Sequence, residues 1–462
     1  MKDTLMKHRL PTLSLSRRHF GQVLAGVSLP LILPSRLFGA DAPSNRIRVA
    51  QIGCGRIARD HDMVGVMKSG LADIIAVCDL DAARAESGKK HLEKMYRDAG
   101  ATVPPISVHH DYREILQRAD VDAVVISTPD HQHAELAAAA VLAGKDVYLQ
   151  KPFTMTIAEG IALRDAVARS KRILQVGSQQ RSWKQFRQAA ELIRSGRVGQ
   201  VRRVEIGLPI DPTAPDNPAQ PVPQGFDYDR WVGPAEFAYY TEQRVHPRAD
   251  FSRPGWLRNE SFCLGMITGW GSHHYDTMHW ALNLESSGPS RVEGKADFPT
   301  NKIWNVHGAY DVQLTYPGDI RVHVSDKHNN GLKFFGDDGW IWVTRDGQAT
   351  ASDPKSGKTL PPLDASDPRL LDPKGLKVEL PRSDSHHKNW LESVRSRKEP
   401  LAPAHIAHRS GSACIVSWIA MKLNKPLTWD VKTERFVNDA QANALLSRPE
   451  RAPYGVTNVV KS

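Results

Sequence analysis

Ile47-Arg48-Val49-Ala50-Gln51-Ile52-Gly53-Cys54-Gly55-Arg56-Ile57-Ala58 decides the fold of this chain. A run of β-formers ends in a glycine turn and passes into a helical pattern, the order a dinucleotide-binding strand-turn-helix requires. Gly53 permits the tight turn and Gly55 lets a pyrophosphate approach the backbone. Arg56 and Ile57 open a helix whose amides face that negative charge. The third glycine position holds Ala58, so the fingerprint gains its weight from context. Asp79 stands 24 residues after Gly55, at the end of the next β-rich run. There its carboxylate accepts from the ribose hydroxyls, which favours NAD; NADP stays open because Arg84 lies close in sequence.

Outward from that stretch, β-rich runs at Ile47 to Ile52, Ile74 to Cys78, Ala123 to Ser127, Val147 to Gln150 and Ile173 to Val176 alternate with helical patterns. The helices are expected over Ile57 to Lys68, Ala82 to Arg97, His131 to Ala143 and Ile157 to Ser170. Such alternation predicts right-handed crossovers and an α/β fold, a Rossmann doubly wound parallel sheet. Later runs, Val201 to Leu208, Arg291 to Phe298, Ala309 to Tyr316, Arg321 to Ser325, Leu332 to Phe335 and Trp340 to Thr344, alternate as strands with one buried face. Pro209 to Pro223 and Pro354 to Pro381 read as long surface loops, and closing helices are expected over Ser385 to Arg397 and Ala404 to Leu423. The organisation expected is a signal segment over 1-42, a nucleotide-binding domain over 43-176 and a substrate and oligomerisation α/β domain over 177-462.

Upstream, Ser16-Arg17-Arg18-His19-Phe20 precedes an apolar stretch from Val23 to Leu33, with small residues near Ala40 and Ala42. This pattern resembles a twin-arginine export signal, which implies the twin-arginine export machinery as a partner and the periplasm as the destination. The formal charge is +10, and residues 1-42 hold six Lys/Arg against two Asp, leaving +6 on the remainder. No basic run with interleaved aromatics follows, so no nucleic acid partner is expected. Cys54, Cys78, Cys263 and Cys414 lack metal-ligand spacing and read as buried thiols; no metal site is expected.

Two further strings narrow the reading: Ser127-Thr128-Pro129-Asp130-His131-Gln132-His133, and Gly144-Lys145-Asp146-Val147-Tyr148-Leu149-Gln150-Lys151-Pro152. With Gln175 to Arg181, Trp231-Val232-Gly233-Pro234, Gly269 to Asp276 and Leu427 to Asp430, the chain resembles the glucose-fructose oxidoreductase / inositol dehydrogenase / MocA-like (Gfo/Idh/MocA) family. The resemblance implies a second domain with a large open, mostly antiparallel sheet, a homo-oligomer and a carbohydrate substrate. It also implies that Thr128, Pro129, His133, Gln150, Lys151 and Gln179 border the cofactor. Lys151 matches the lysine beside the nicotinamide, and His273 matches the histidine that takes or gives the hydroxyl proton. Gln150 stands where the family has glutamate, and Gly269 where many members have aspartate.

On a helix, His273 shares a face with Asp276, Thr277 and Trp280. Asp276 can orient His273 or do structural work, and a packed histidine is the commoner fate for His274 and His279. Arg181, Trp183, Arg244, His246, Trp270, His274 and Asp276 are the candidates for a sugar pocket, for their forks and ring faces. Only His273 and Asp276 of the local His/Asp set share a face, which argues against a metal there. Outside the cytoplasm no free nicotinamide pool is at hand, so the cofactor must be retained and regenerated on the enzyme. One sugar is then oxidised and another reduced, or transient oxidation of one sugar serves glycosidic cleavage or elimination. A non-catalytic sugar-binding or scaffold protein is the third reading.

Overall fold

The computed structural model describes residues 45–345 and 361–461. The twin-arginine pattern lies outside the described residues, as does the start of the second Pro-rich stretch.

From Ile47 the chain builds β1 (Ile47–Ile52), α1 (Met63–Lys68), β2 (Ala72–Cys78), α2 (Ala82–Asp98), β3 (Ser107–His109), α3 (Tyr112–Gln117), β4 (Ala123–Ile126), α4 (His133–Leu142), β5 (Asp146–Leu149), α5 (Ile157–Ser170) and β6 (Leu174–Val176). The strands form one parallel sheet in the order β3-β2-β1-β4-β5-β6. Strand order reverses between β1 and β4, the point where open α/β sheets bind ligands. Ile52 lies level with Cys78 and Ile126, and Leu149 with Ile126 and Val176. That register sets Gly53, Asp79, Ser127, Gln150 and Gly177 in one row at the carboxyl edge. β3 and α3 are additions to the sequence expectation: three residues are too few to show a period, and β3 forms because Ala76, Val77 and Cys78 pair with it. The helix expected from Ile57 begins as a π turn over Ala58–Asp62 before α1.

The second half contributes α6 (Lys184–Arg194), β7 (Val201–Gly207), α7 (Gly271–Ala281), β8 (Arg291–Ala296), β9 (Tyr310–Tyr316), β10 (Ile320–Ser325), β11 (Gly331–Gly336), β12 (Gly339–Val343), β13 (Leu363–Ala365), α8 (His386–Ser396), α9 (Ala404–Leu423), β14 (Leu427–Asp430), β15 (Arg435–Phe436) and α10 (Val456–Lys461). Nine strands make a sheet ordered β13-β12-β11-β7-β10-β9-β8-β14-β15, antiparallel except for β7 beside β10. Val204, Ile206, Val312, Leu314, Val322, Val324, Leu332 and Phe334 alternate inward. They share a core with Phe186 of α6, Tyr275 and Met278 of α7 and Ile415 and Ile419 of α9, burial worth about 1.5–3 kcal/mol for each large side chain. Where a loop is expected over Pro354 to Pro381, Leu363–Ala365 instead adds an edge strand by pairing with Ile341 to Val343. Late helices return to the first sheet: Trp390 and Leu391 of α8 pack with Val49 and Ile74, and Val456 of α10 packs with Ala134. No helix among the described residues is long and apolar enough to cross a membrane.

Candidate active site

The carboxyl row of the first sheet borders a cavity of about 670 Å³, within the range of small-molecule and cofactor sites. Gly53 has φ +83°, and a Cβ there would stand 2.7 Å from the Ser127 carbonyl oxygen, so the turn requires glycine. A Cβ at Gly55 would meet nothing within 4 Å; its missing side chain leaves open cavity beside the backbone. Arg56, Ile57, Thr128, Pro129, Gln150, Lys151 and Gln179 all line the cavity.

Asp79 accepts from the Cys54 amide through Oδ2 at 2.8 Å and from the Asp81 amide through Oδ1 at 2.9 Å. Burial raises its pKa, and those two amides oppose the rise. Each oxygen keeps a lone pair for a ribose hydroxyl. Glycine turn, amides, open space and acceptor together fit a dinucleotide.

Over the same end lies a segment from the second half. His246 Nε2 sits 3.1 Å from Asp81 Oδ2, and Arg248 pairs with the same oxygen. Arg84 donates to the Pro247 carbonyl at 2.6 Å, and Arg59 and Arg84 stack on the Phe251 ring at 4.1 and 4.6 Å. His246 therefore belongs to the glycine-turn end of the cavity and not, as expected, to a sugar pocket: Asp81, three residues past the end of β2, holds it there.

At the other end Lys151 Nζ donates to the Gly269 carbonyl at 3.1 Å. Burial lowers the Lys151 pKa, and Asp130 opposes the fall. Asp130 is buried and lines the cavity, and burial lifts its pKa to about 7 against the pull of Lys151. His273 lines the cavity with Trp270, their rings edge-on at 5.8 Å. Burial drives its pKa well below the usual imidazole value, with Arg345 and Lys151 adding to the effect. His273 is therefore neutral at physiological pH, the form that can take a proton. Its Nδ1 has no hydrogen-bond partner among the described residues.

Gln150 is not alone beneath this site. Its Nε2 donates to Asp62 Oδ1 at 2.8 Å and Oδ2 at 3.1 Å; Ser127 Oγ donates to the same carboxylate at 2.6 Å, and His387 Nε2 lies 2.9 Å from it. The negative charge that glutamine removes at 150 is returned by Asp62, fully buried at the end of the π turn. His387 stacks on Tyr148 at 4.4 Å and fits only because residue 65 is glycine, where a Cβ would lie 2.1 Å from its ring.

Five expected site residues have other work. Arg181 is buried off the cavity and forms a fork with Asp276, Nε to Oδ2 at 2.7 Å and Nη2 to Oδ1 at 2.9 Å, while its Nη1 reaches Glu285. Asp276 is thereby occupied and does not hydrogen-bond His273. Arg244 is buried against the Tyr239 ring and donates to the Tyr239 and Lys302 carbonyls. His274 meets Asn330 Oδ1 at 2.9 Å, and burial lowers its pKa to about 3. His133 faces the Pro152 carbonyl at 2.7 Å and the Thr128 carbonyl at 3.1 Å, so it braces the cradle from behind. Each is a polar group removed from water that found protein partners. Trp183 and Trp270 do line the cavity. Against both rings lies Arg345, which no sequence motif marked. Asp130 was legible as part of the Thr128 to His133 string; Asp62 and His387 carried no signal.

Residues 47–178 match the family model described as "Oxidoreductase family, NAD-binding Rossmann fold", and residues 214–456 match its partner, "Oxidoreductase family, C-terminal alpha/beta domain". The chain belongs to the Gfo/Idh/MocA oxidoreductase family. Among its relatives, inositol 2-dehydrogenase 3 of Saccharopolyspora erythraea is 34% identical over 154 residues, 33% of this chain and 42% of that protein. The match to such relatives thus spans less than half of their length. The scyllo-inositol 2-dehydrogenase (NAD(+)) of Bacillus subtilis is 24% identical over 65% of this chain and 74% of its own. Among solved structures, the aldose-aldose oxidoreductase of Caulobacter crescentus complexed with glycerol shares the fold, with TM-score 0.60 at 16% identity over 83% of this chain and 99% of that one.

Proposed function

We propose that this Gfo/Idh/MocA member oxidises a ring hydroxyl of a sugar or sugar alcohol to a ketone, reversibly and with NAD. The observation that carries the reading is the convergence of Lys151 and a neutral His273 on one cavity whose opposite end is the glycine cradle. Bound NAD would supply the hydride acceptor. His273 takes the hydroxyl proton, and Lys151, tethered to the Gly269 carbonyl, donates to the same oxygen and fixes it. The carbon loses two electrons and its hydrogen as hydride, so atoms and charge balance. Trp231, Trp270 and Met266 wall the cavity and limit water.

Kinship with inositol dehydrogenases supports a polyol or sugar substrate. The strapping of the ribose end by His246, Arg248 and Phe251 supports a cofactor that is retained, which suits a chain exported through the twin-arginine pathway already folded. We place the mature protein in the periplasm as a homo-oligomer, joined through the outward sheet face that carries Phe335, Trp340 and Trp342. A second reading, glycosidic cleavage through a transient ketone, is favoured by the open space at Gly269, where a Cβ would meet only Met266 Sδ at 3.9 Å.

The test is Lys151→Ala with a panel of sugars and inositols. Nicotinamide reduction should fall at least about 100-fold, while NAD affinity stays within a few-fold. Full turnover in the variant removes Lys151 from the mechanism. Aglycone release without net cofactor reduction in the wild type selects the second reading.

A further inference from the structure

Arg345 follows the end of β12 and enters the cavity beside Trp183, Trp270, His273 and Lys151. Its guanidinium carbon lies 4.7 Å from the Trp270 ring centre and 5.2 Å from that of Trp183. Nη2 is buried with no hydrogen-bond partner, and no carboxylate stands within ion-pair reach of Arg345 among the described residues. Burial brings its pKa down to about 10, which leaves it cationic at neutral pH. Lys151 adds a second donor, whose hydrogen bond goes to a neutral carbonyl. Of the carboxyls near this end, Asp130 answers Lys151 and Asp384 accepts from Arg382. A part-buried guanidinium whose Nη2 is cut off from water and partners, with no counter-charge, is costly, and a binding site is where a ligand can provide one.

The cofactor's phosphates do not fill that role. The glycine cradle that fits them stands on the first sheet, whereas Arg345 issues from the second and neighbours the proposed base. The anion is then part of the substrate.

We infer that Arg345 receives the carboxylate of a sugar acid, its Nη2 donating to a carboxylate oxygen while Lys151 and His273 engage a ring hydroxyl of the same molecule. This rests on the reading of the cavity as a hydride-transfer site and narrows its substrate class to uronates and aldonates.

The experiment titrates the NAD-loaded protein with D-glucuronate against D-glucose and D-galacturonate against D-galactose by calorimetry, with nicotinamide absorbance followed in parallel. Each acid should bind about 10- to 100-fold more tightly than its neutral twin. Arg345→Met should bring that ratio near one, and Arg345→Lys should keep part of it. Because the ratio compares two ligands on one sample, partial misfolding does not imitate the result. Equal or tighter binding of the neutral sugars, no binding of either acid, or a ratio that survives Arg345→Met would overturn the inference. Tighter binding of glucose 6-phosphate than of glucuronate would also overturn it, assigning a phosphate instead. An intact ratio with no cofactor reduction by any ligand would sustain Arg345 as the carboxylate receptor while the hydride-transfer reading fails.

Discussion

Arg181→Leu separates a structural guanidinium from a sugar-binding one. The substitution removes two donors from Asp276, at 2.7 and 2.9 Å, one from Glu285 at 2.7 Å and one from the Leu401 carbonyl at 3.2 Å. Glu285 retains Arg194 at 2.7 Å, but Asp276, 1% exposed, is left with Ser410 at 3.4 Å. Breaking a buried pair on one side costs about 3–5 kcal/mol, most of it the stranded charge. Urea unfolding at pH 8 should therefore show a loss of about 4 kcal/mol. The loss should shrink at pH 5, because an unpaired buried carboxyl holds its proton and escapes the penalty of ionisation. Arg181→Leu with Asp276→Leu should recover most of the stability, since a packed apolar pair replaces a buried ionic one at little cost. A stability change under about 1 kcal/mol, joined to a raised KM for sugar, would refute this assignment and return Arg181 to the pocket.

Asp79→Asn should weaken NAD binding about tenfold or more, because the proposed ribose acceptor loses its charge, and narrow discrimination against NADP; unchanged cofactor preference in a fluorescence titration would show that another group reads the ribose. Gly269→Asp should fold with stability within about 1 kcal/mol of wild type, since its Cβ meets only Met266 Sδ, and should shift the pH-rate profile by setting a carboxylate beside Lys151; a collapse in thermal stability would deny the open space. Asp130 carries a folded pKa of about 7, above the ordinary carboxyl value, so between about pH 4 and 7 the folded chain holds a proton that the unfolded chain releases. Stability should accordingly fall as pH rises through that window, by an amount on the order of 4 kcal/mol, and Asp130→Asn should flatten the slope. Parallel slopes in the two proteins, by urea unfolding across that range, would place the shift elsewhere.

Five strands of the first sheet were legible because their information is local, whereas β3, three residues paired to β2, was not. A glycine turn at Gly53 and Gly55, a β-run before it and a helix after it lie within a dozen residues, and burial on both faces makes the strands continuous apolar runs. Six of the second sheet's strands, β7 to β12, declared themselves by period-two alternation, while β13, β14 and β15 are too short to show a period. Their order waited for the fold, because pairing β7 beside β10 joins segments more than a hundred residues apart. Among polar side chains the sequence could name types but not partners. Arg181 and Arg345 have identical chemistry. Only the packing sets Asp276 against the first and two indole faces against the second. In the same way Gln150 reads as a lost charge until the π turn brings Asp62 within 2.8 Å and α8 delivers His387 to the same carboxylate from 325 positions away. A charge's environment is set by distance and by the exclusion of water, and neither is written along a chain.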